Sequence, residues 1–441
     1  MFTRHRPRSF RISSGRSGRS NSGGRVTAFG HLWRSSRTLS RNARLYLIGT
    51  FLMGLGHGSL WVHMNLYFRT LGMGEATIGR ILSAGSLGMV LISIPAALWI
   101  DRFSAQSVFM LAAAGFAGAF LVQLLLPYPG VLIFAAMATG MLFTVHWVAA
   151  APFFVRNSTA EQRTELFGFA SAVETLATVL SAFGAGLAAK RIAEHLGSEV
   201  LGLRYALSGV AFLTALAVIP FARIRSAPPT AERRGWRAYV LARDYRLLGK
   251  ICLPSFLVGC GAGLTIPFLN LYFRDRFDQD PQQIGSFYAV AQILMMAGFL
   301  LGPLLARRLN HVRAIVTTEL LSIPFFLILA LADRLWLAVL AFWFRGALMN
   351  MNQPVSSAFA MEIVPADHQT ATNSLRMLAW NLSWMVTAPL GGWLIERYGF
   401  TPNMVGTMGL YLAAASLFWI FFRRFRVEQE RPTSGSTRSG G

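Results

Sequence analysis

Apolar runs close to the length of a membrane span, repeated along the whole chain, are what most limits how it can fold. A helix rising 1.5 Å per residue needs about twenty such residues to cross a hydrocarbon core of about 30 Å. Twelve stretches of this kind can be laid out: near 43–68, 76–100, 106–127, 130–155, 165–189 and 202–224, then 248–273, 283–306, 312–332, 335–362, 371–395 and 402–422. Only 14% of residues are charged and 54% are hydrophobic, whereas a soluble domain carries about 25% charged residues. The expected fold is therefore all-α and membrane-integral, with twelve transmembrane helices.

The chain also writes one line twice. "FLMGLGHGSLWVHMNLYFR" at Phe51–Arg69 returns as "FLVGCGAGLTIPFLNLYFR" at Phe256–Arg274, ten of nineteen positions identical at an offset of 205. The register continues at an offset of 206 with Ile78-Gly79 against Ile284-Gly285, and Thr139-Gly140 opposite Arg345-Gly346. Six spans per copy return the chain to the same side, so the two copies share one orientation, the parallel-repeat arrangement. Two pseudo-symmetric six-helix bundles are expected. Gly54 and Gly58, repeated as Gly259 and Gly263, form G-x-x-x-G pairs that read as helix-crossing points.

The net charge is +22, but its distribution argues against nucleic acid. Eleven Arg and no acid lie in residues 1–44, eight basic residues lie in 223–250, and five Arg follow Phe422. Basic residues gathered at both ends and the centre are what the positive-inside rule places in the cytoplasm, with anionic lipid headgroups as nearby counter-charge. This gives a disordered Arg-rich cytoplasmic tail at 1–42, an N-terminal bundle at 43–225 and a cytoplasmic linker at 226–247. A C-terminal bundle at 248–422 and a second disordered tail at 423–441 complete it. A bacterial cytoplasmic membrane is the expected location. An organellar membrane is the alternative, because the Arg/Ser-rich start resembles a transit peptide. Cys252 and Cys260 form neither a disulfide framework nor a metal-ligand spacing, and no metal or cofactor is expected.

After the second span the chain reads "AALWIDRFSAQ", with Asp101-Arg102, and at the matching place in the second copy "GPLLARRLN", with Gly302, Leu304 and Arg307. Together with twelve spans and the repeat, this resembles the major facilitator superfamily over Ala43–Phe422. The family's loop signature, roughly G-x-L-x-D-R-x-G-R-R/K, is matched at Asp101 and Arg102 and departs at Ala97, Trp99, Ser104, Ala105 and Gln106. The resemblance implies two six-helix halves around a central cavity, with Asp101, Arg102 and Arg307 as a cytoplasmic gate. The fifth span lacks the proline of the drug-antiporter motif, and P-E-S-P-R of sugar porters is missing after the sixth.

Polar residues inside spans are functional candidates because a charge at the bilayer centre costs about 2.5–3.5 kcal/mol on insertion scales. Arg345, Met349, Asn352 and Ser356 share a face of the tenth span, and Thr139, Phe143, His146 and Ala150 repeat it in the fourth. The resemblance makes the first, fourth, seventh and tenth spans the cavity lining. That places His57, Trp61, Asn65, His146, Arg345 and Asn352 on its wall, with Trp380 and Trp384 opposite the Glu174 stripe. Glu174 is expected either to pair with Arg345 across the halves or to carry a proton. For Arg345 the alternative is a structural ion pair, and for His57 a hydrogen bond between helices. Glu319, in a span that is peripheral in the family, reads as a stabilising contact, and His63 lies on another face.

No G-x-x-x-x-G-K-[ST] run or H-E-x-x-H is present, and neither ATP hydrolysis nor an enzyme is indicated. The function expected is secondary-active transport of a small organic solute by alternating access, with proton coupling as an option. Arg345 hints at an anionic substrate, since guanidinium suits carboxylate and phosphate. A lipid or lysolipid translocator and a transporter-like sensor are the alternatives. One chain suffices to enclose a cavity, so a monomer is expected.

Overall fold

The computed structural model of the chain describes residues 39–99, 103–225, 245–365 and 369–424. Most of the expected tails and of the linker, and Asp101 and Arg102 of the expected gate, lie outside the described residues, and α1 already begins at Arg41 within the expected tail. The N-terminal half contains α1 (Arg41–Thr70), α2 (Glu75–Trp99), α3 (Ala105–Leu125), α4 (Pro129–Asn157) and α5 (Ala160–Leu196). Its last span is α6 (Glu199–Ala215) continued by α7 (Val218–Ala222). The C-terminal half begins with α8 (Tyr245–Thr265), a single 3-10 turn at Ile266–Phe268, and α9 (Leu269–Phe277), which together form one span. It continues with α10 (Pro281–Leu309), α11 (His311–Leu331), α12 (Leu335–Glu362), α13 (Gln369–Tyr398) and α14 (Phe400–Phe422).

These helices make twelve spans, six in each half. Ten of the spans are long and apolar enough to cross a membrane by length and composition. The remaining two are α12 and α13, which are as long but carry Arg345, Asn350, Asn352 and Gln353, and Asn373, Arg376 and Asn381. Their polarity is concentrated in the second half of the repeat.

Local chemistry sets the helix ends. Ser40 caps α1 by accepting from the Ala43 N–H. Thr159 with Gln162, and Asp280 with Gln283, form reciprocal capping boxes at the starts of α5 and α10. The fifth span of each half ends at a left-handed glycine, Gly197 at φ 64° and Gly399 at φ 79°. A side chain there would meet its own carbonyl, so glycine allows the next span to start at once. Pro267 lacks an N–H and breaks the ladder between α8 and α9.

The glycine pairs of the opening line are close-approach points. A Cβ at Gly54 would lie 2.8 Å from Ala177 Cβ, and one at Gly58 2.8 Å from Thr178 Cα, which brings α1 onto α5. The second copy brings α8 onto α13, where a Cβ at Gly259 or Gly263 would meet Ser383 or Thr387.

Candidate functional site

The halves meet most closely at the end away from the two tails, referred to below as the far end. Asn65 on α1 donates to the Pro267 carbonyl at 2.6 Å, and Asn270 on α9 donates to the Val62 carbonyl at 2.8 Å. Donors and acceptors are both 205 apart, so this is one hydrogen bond applied twice by the pseudo-two-fold. The backbone is irregular on the C-terminal side alone. The Leu271 N–H, four residues beyond Pro267, bonds Asn270 Oδ1 instead of continuing the helix. Tyr67 and Tyr272 likewise donate to the Leu124 and Leu329 carbonyls, within their own halves.

Around this clasp the same symmetry recurs in close backbone contacts. A Cβ at Gly79 would lie 2.5 Å from the Ala388 carbonyl oxygen, and one at Gly285 2.0 Å from that of Ala182. Gly392 and Gly186 lie similarly against the Glu75 and Pro281 carbonyls. Ion pairs ring the contact: Arg69 bridges Glu75 and Asp275 at 3.3 Å each, Lys190 meets Asp280 at 2.9 Å, and Arg274 meets Glu199 at 2.8 Å. In this far portion the Ala76 N–H also donates to Glu396 across the halves, and farther along α2 Ser83 donates to the Met385 carbonyl.

Nearer the tails, polar and aromatic side chains of the N-terminal half cluster around His57, and one tryptophan pair meets across the halves. His57 Nδ1 lies 4.0 Å from Glu174 Oε1, and the two side chains remain 30% and 23% exposed. The His57 ring stacks on Phe143 at 4.0 Å between centroids. Trp61 meets Trp384 across the halves at 5.5 Å, and Trp384 meets Trp380 at 6.1 Å. The Trp384 indole N–H is buried with no acceptor. This groove combines aromatic faces with a free donor and a His–carboxyl pair, a combination suited to a small molecule with both apolar and polar faces.

The remaining residues expected on the cavity wall are elsewhere. Asn65 is 2% exposed and consumed by the clasp. His146 is 1% exposed, stacked on Tyr46 at 5.6 Å and enclosed by Phe109 and Phe221 inside the N-terminal bundle. Arg345 is 6% exposed inside the C-terminal bundle, its guanidinium 5.1 Å from the Phe326 ring and beside Tyr411 and Tyr288. Asn352 lies in the same interior and donates to Glu319 Oε1 at 2.7 Å. Among the described residues no ion pair joins Glu174 to Arg345; Glu174 meets His57 on the neighbouring helix instead.

The reason is geometric. A polar face at i, i+4, i+7 identifies the side of a helix that avoids lipid, but a span in a bundle has two such sides, the groove and the bundle interior. Periodicity does not separate them. Arg345 points to the interior, which withdraws its argument for an anionic substrate. Arg307 is exposed at the tail-side end of α10. Glu319, 5% exposed, accepts from Asn352, the kind of stabilising contact its place in the ninth span led us to expect. Sequence reasoning missed Phe143 as the partner of His57, and Tyr411.

A sequence profile described as Major Facilitator Superfamily matches residues 46–333 and 251–439. The chain belongs to this superfamily. It is 24% identical over 384 residues to a protein of Deinococcus radiodurans named "Putative sugar efflux transporter", covering 83% of this chain and 94% of that one. It is 24% identical over 182 residues to "Multidrug resistance protein MdtH" of Yersinia enterocolitica, covering 41% of this chain and 45% of that protein. Among solved structures, a nucleoside transporter, NupG, superposes with a TM-score of 0.71 at 16% identity, over 88% of this chain and all of that one. A bacterial homologue of the lysosomal transporter Spinster, in an inward-facing and occupied conformation, gives 0.71 at 14% identity over 88% and 97%. The superfamily chain is thus a multi-pass membrane protein of transporter type.

Proposed function

We propose that this superfamily member is a secondary-active transporter of a small polar organic solute, bound in the groove between the halves. The observation that carries the reading is the contrast along the groove. The far end is shut by contacts repeated across the pseudo-two-fold, while His57, Glu174 and the tryptophans nearer the tails keep partial exposure. Such an arrangement is one state of an alternating-access cycle, open toward the tails. On this reading the positive-inside pattern assigns that side to the cytoplasm, and one chain supplies the whole groove. The tryptophan faces favour a ring-bearing solute such as a sugar or nucleoside, the kinds of substrate named for a relative and a structural neighbour. Glu174, beside His57, is the group placed to exchange a proton during the cycle.

The test is uptake of labelled sugars and nucleosides into proteoliposomes with and without an imposed pH gradient. Uptake that responds to the gradient, is lost in Trp384→Ala and is uncoupled from it in Glu174→Gln supports the reading. Solute-specific uptake that ignores the gradient removes the proton. No uptake of any polar solute, with lysolipid moved instead, replaces the substrate class.

A further inference from the structure

The C-terminal bundle holds a second intramembrane carboxyl, Glu319 on α11, well away from His57 and Glu174. Asn352 on α12 donates its Nδ2 to Glu319 Oε1 at 2.7 Å. The other halves of both groups, Glu319 Oε2 and Asn352 Oδ1, are buried and without a hydrogen-bond partner. An ionised carboxylate offers only acceptors, so against a primary amide it satisfies the N–H and leaves the amide oxygen facing another acceptor. A carboxylic acid offers one donor and one acceptor side by side, as the amide does. With a proton on Oε2 the two groups close a ring of two hydrogen bonds and both orphaned oxygens are satisfied.

We propose that Glu319 is a proton-binding site, its acid form held by Asn352. The surroundings agree with a neutral group. Glu319 is 5% exposed and Asn352 8%. Among the described residues the one cation facing this cluster from the packed helices is Arg345 on α12, and it makes no ion pair with Glu319. Its guanidinium instead sits over Phe326 and beside the hydroxyls of Tyr411 on α14 and Tyr288 on α10. Tyr411 lies near both Glu319 and Arg345 and hydrogen-bonds the guanidinium. Within α11 itself, Thr318 and Ser322 spend their hydroxyls on helix carbonyls, and His311 at the helix start faces Glu362.

Deprotonation breaks the Glu319 O–H bond, leaves the electron pair on the carboxylate and hands the proton to water. The resulting anion has lost its donor to Asn352 Oδ1, and Arg345 is the group within the cluster that can neutralise it. Exchange of the acid–amide ring for an ion pair changes which turn of α12 is tied to α11. The use of that exchange in a transport cycle rests on the function proposed above; the proton itself does not.

The experiment is infrared difference spectroscopy on the full-length protein in detergent at neutral pH, with Glu174→Gln as background to remove the other carboxyl. A protonated-carboxyl C=O band that vanishes in Glu319→Gln and moves to higher frequency in Asn352→Leu supports the site. Spectra in the acid region that are indistinguishable with and without Glu319 overturn it. Should Glu319→Gln fail to fold, the Asn352→Leu comparison decides alone, and a band unmoved there also overturns the inference. A chain that transports nothing would still show the band, so failure of the functional reading and failure of this one remain distinct.

Discussion

The far-end closure and the bundle interiors treat the internal repeat in opposite ways. At the closure, symmetry is kept nearly atom for atom: Asn65 and Asn270, Gly79 and Gly285, Gly186 and Gly392 perform the same contact in each half. In the interiors it is kept by Tyr67 and Tyr272 but abandoned around Glu319. Offset by 206, Glu319 stands opposite Ala113, Arg345 opposite Thr139 and Asn352 opposite His146. A contact surface between like halves can be built once and used twice, because each half is the other's partner. Proton-binding and solute-binding groups act on things without two-fold symmetry, and duplicating a buried charge would double its cost without a second use. The difference suggests that closure and chemistry can be damaged separately.

The largest effect is expected where closure depends on absent side chains. A Cβ at Gly285 would fall 2.0 Å from the Ala182 carbonyl oxygen, and one at Gly79 2.5 Å from that of Ala388. Both contacts are to backbone, which cannot step aside without separating α10 from α5 or α2 from α13. Gly285→Val and Gly79→Val should therefore prevent far-end closure, each to a similar degree. Labelling from the far side of one reporter cysteine, introduced as Trp61→Cys in a chain with Cys252 and Cys260 replaced, would rise to completion in both. A large difference between the two variants would break the claim of equivalent contacts.

The interior asymmetry is tested by transplanting it. Ala113→Glu buries a carboxyl at a fully enclosed position opposite Glu319, where no amide waits. An unpaired buried acid costs several kcal/mol, so the apparent Tm should fall by about 10 °C. Ala113→Glu combined with His146→Asn rebuilds the acid–amide pair and should recover part of that loss. No recovery would mean that the C-terminal pair depends on Arg345 and Tyr411 as well as on its two members.

The expectations from sequence divide along the same line. Spans, halves and crossing glycines were legible because lipid and repetition leave a pattern in the chain: length, hydropathy and offset. His57 lies beside Glu174 and Trp61 meets Trp384 across the halves, while Phe143 came as an unanticipated neighbour of His57. The fate of Asn65 was not legible. Its partner is a backbone carbonyl freed by the break at Pro267, and a main-chain acceptor has no letter in a sequence. Arg345 and His146 were assigned to the wrong side of their helices, since bundle interior and groove avoid lipid equally.

The asparagine clasp gives a smaller and more even effect than the glycines. Asn65→Ala and Asn270→Ala each remove one buried hydrogen bond, and the first also strands the Pro267 carbonyl, at a cost of about 1–3 kcal/mol to the closed far end. The pseudo-two-fold predicts nearly equal shifts in far-side labelling, and a double variant close to additive or worse. Asn270 also holds the Leu271 N–H, so any inequality should make its loss the greater. The reverse order would show that the break at Pro267 is maintained without that bond.

The smallest effect belongs to the ring of ion pairs. Arg274 and Glu199 meet at 2.8 Å, but their side chains are 22% and 41% exposed. An exposed pair of this kind contributes about 0–1 kcal/mol and is screened by salt. Arg274→Ala should therefore shift far-side labelling slightly at low ionic strength, and the shift should disappear in high salt, whereas the clasp variants keep theirs. A salt-resistant effect as large as that of Asn270→Ala would move these charges from the rim of the closure into its energetic centre. It would also make the symmetry of the neutral contacts a consequence of repetition rather than the reason the far end shuts.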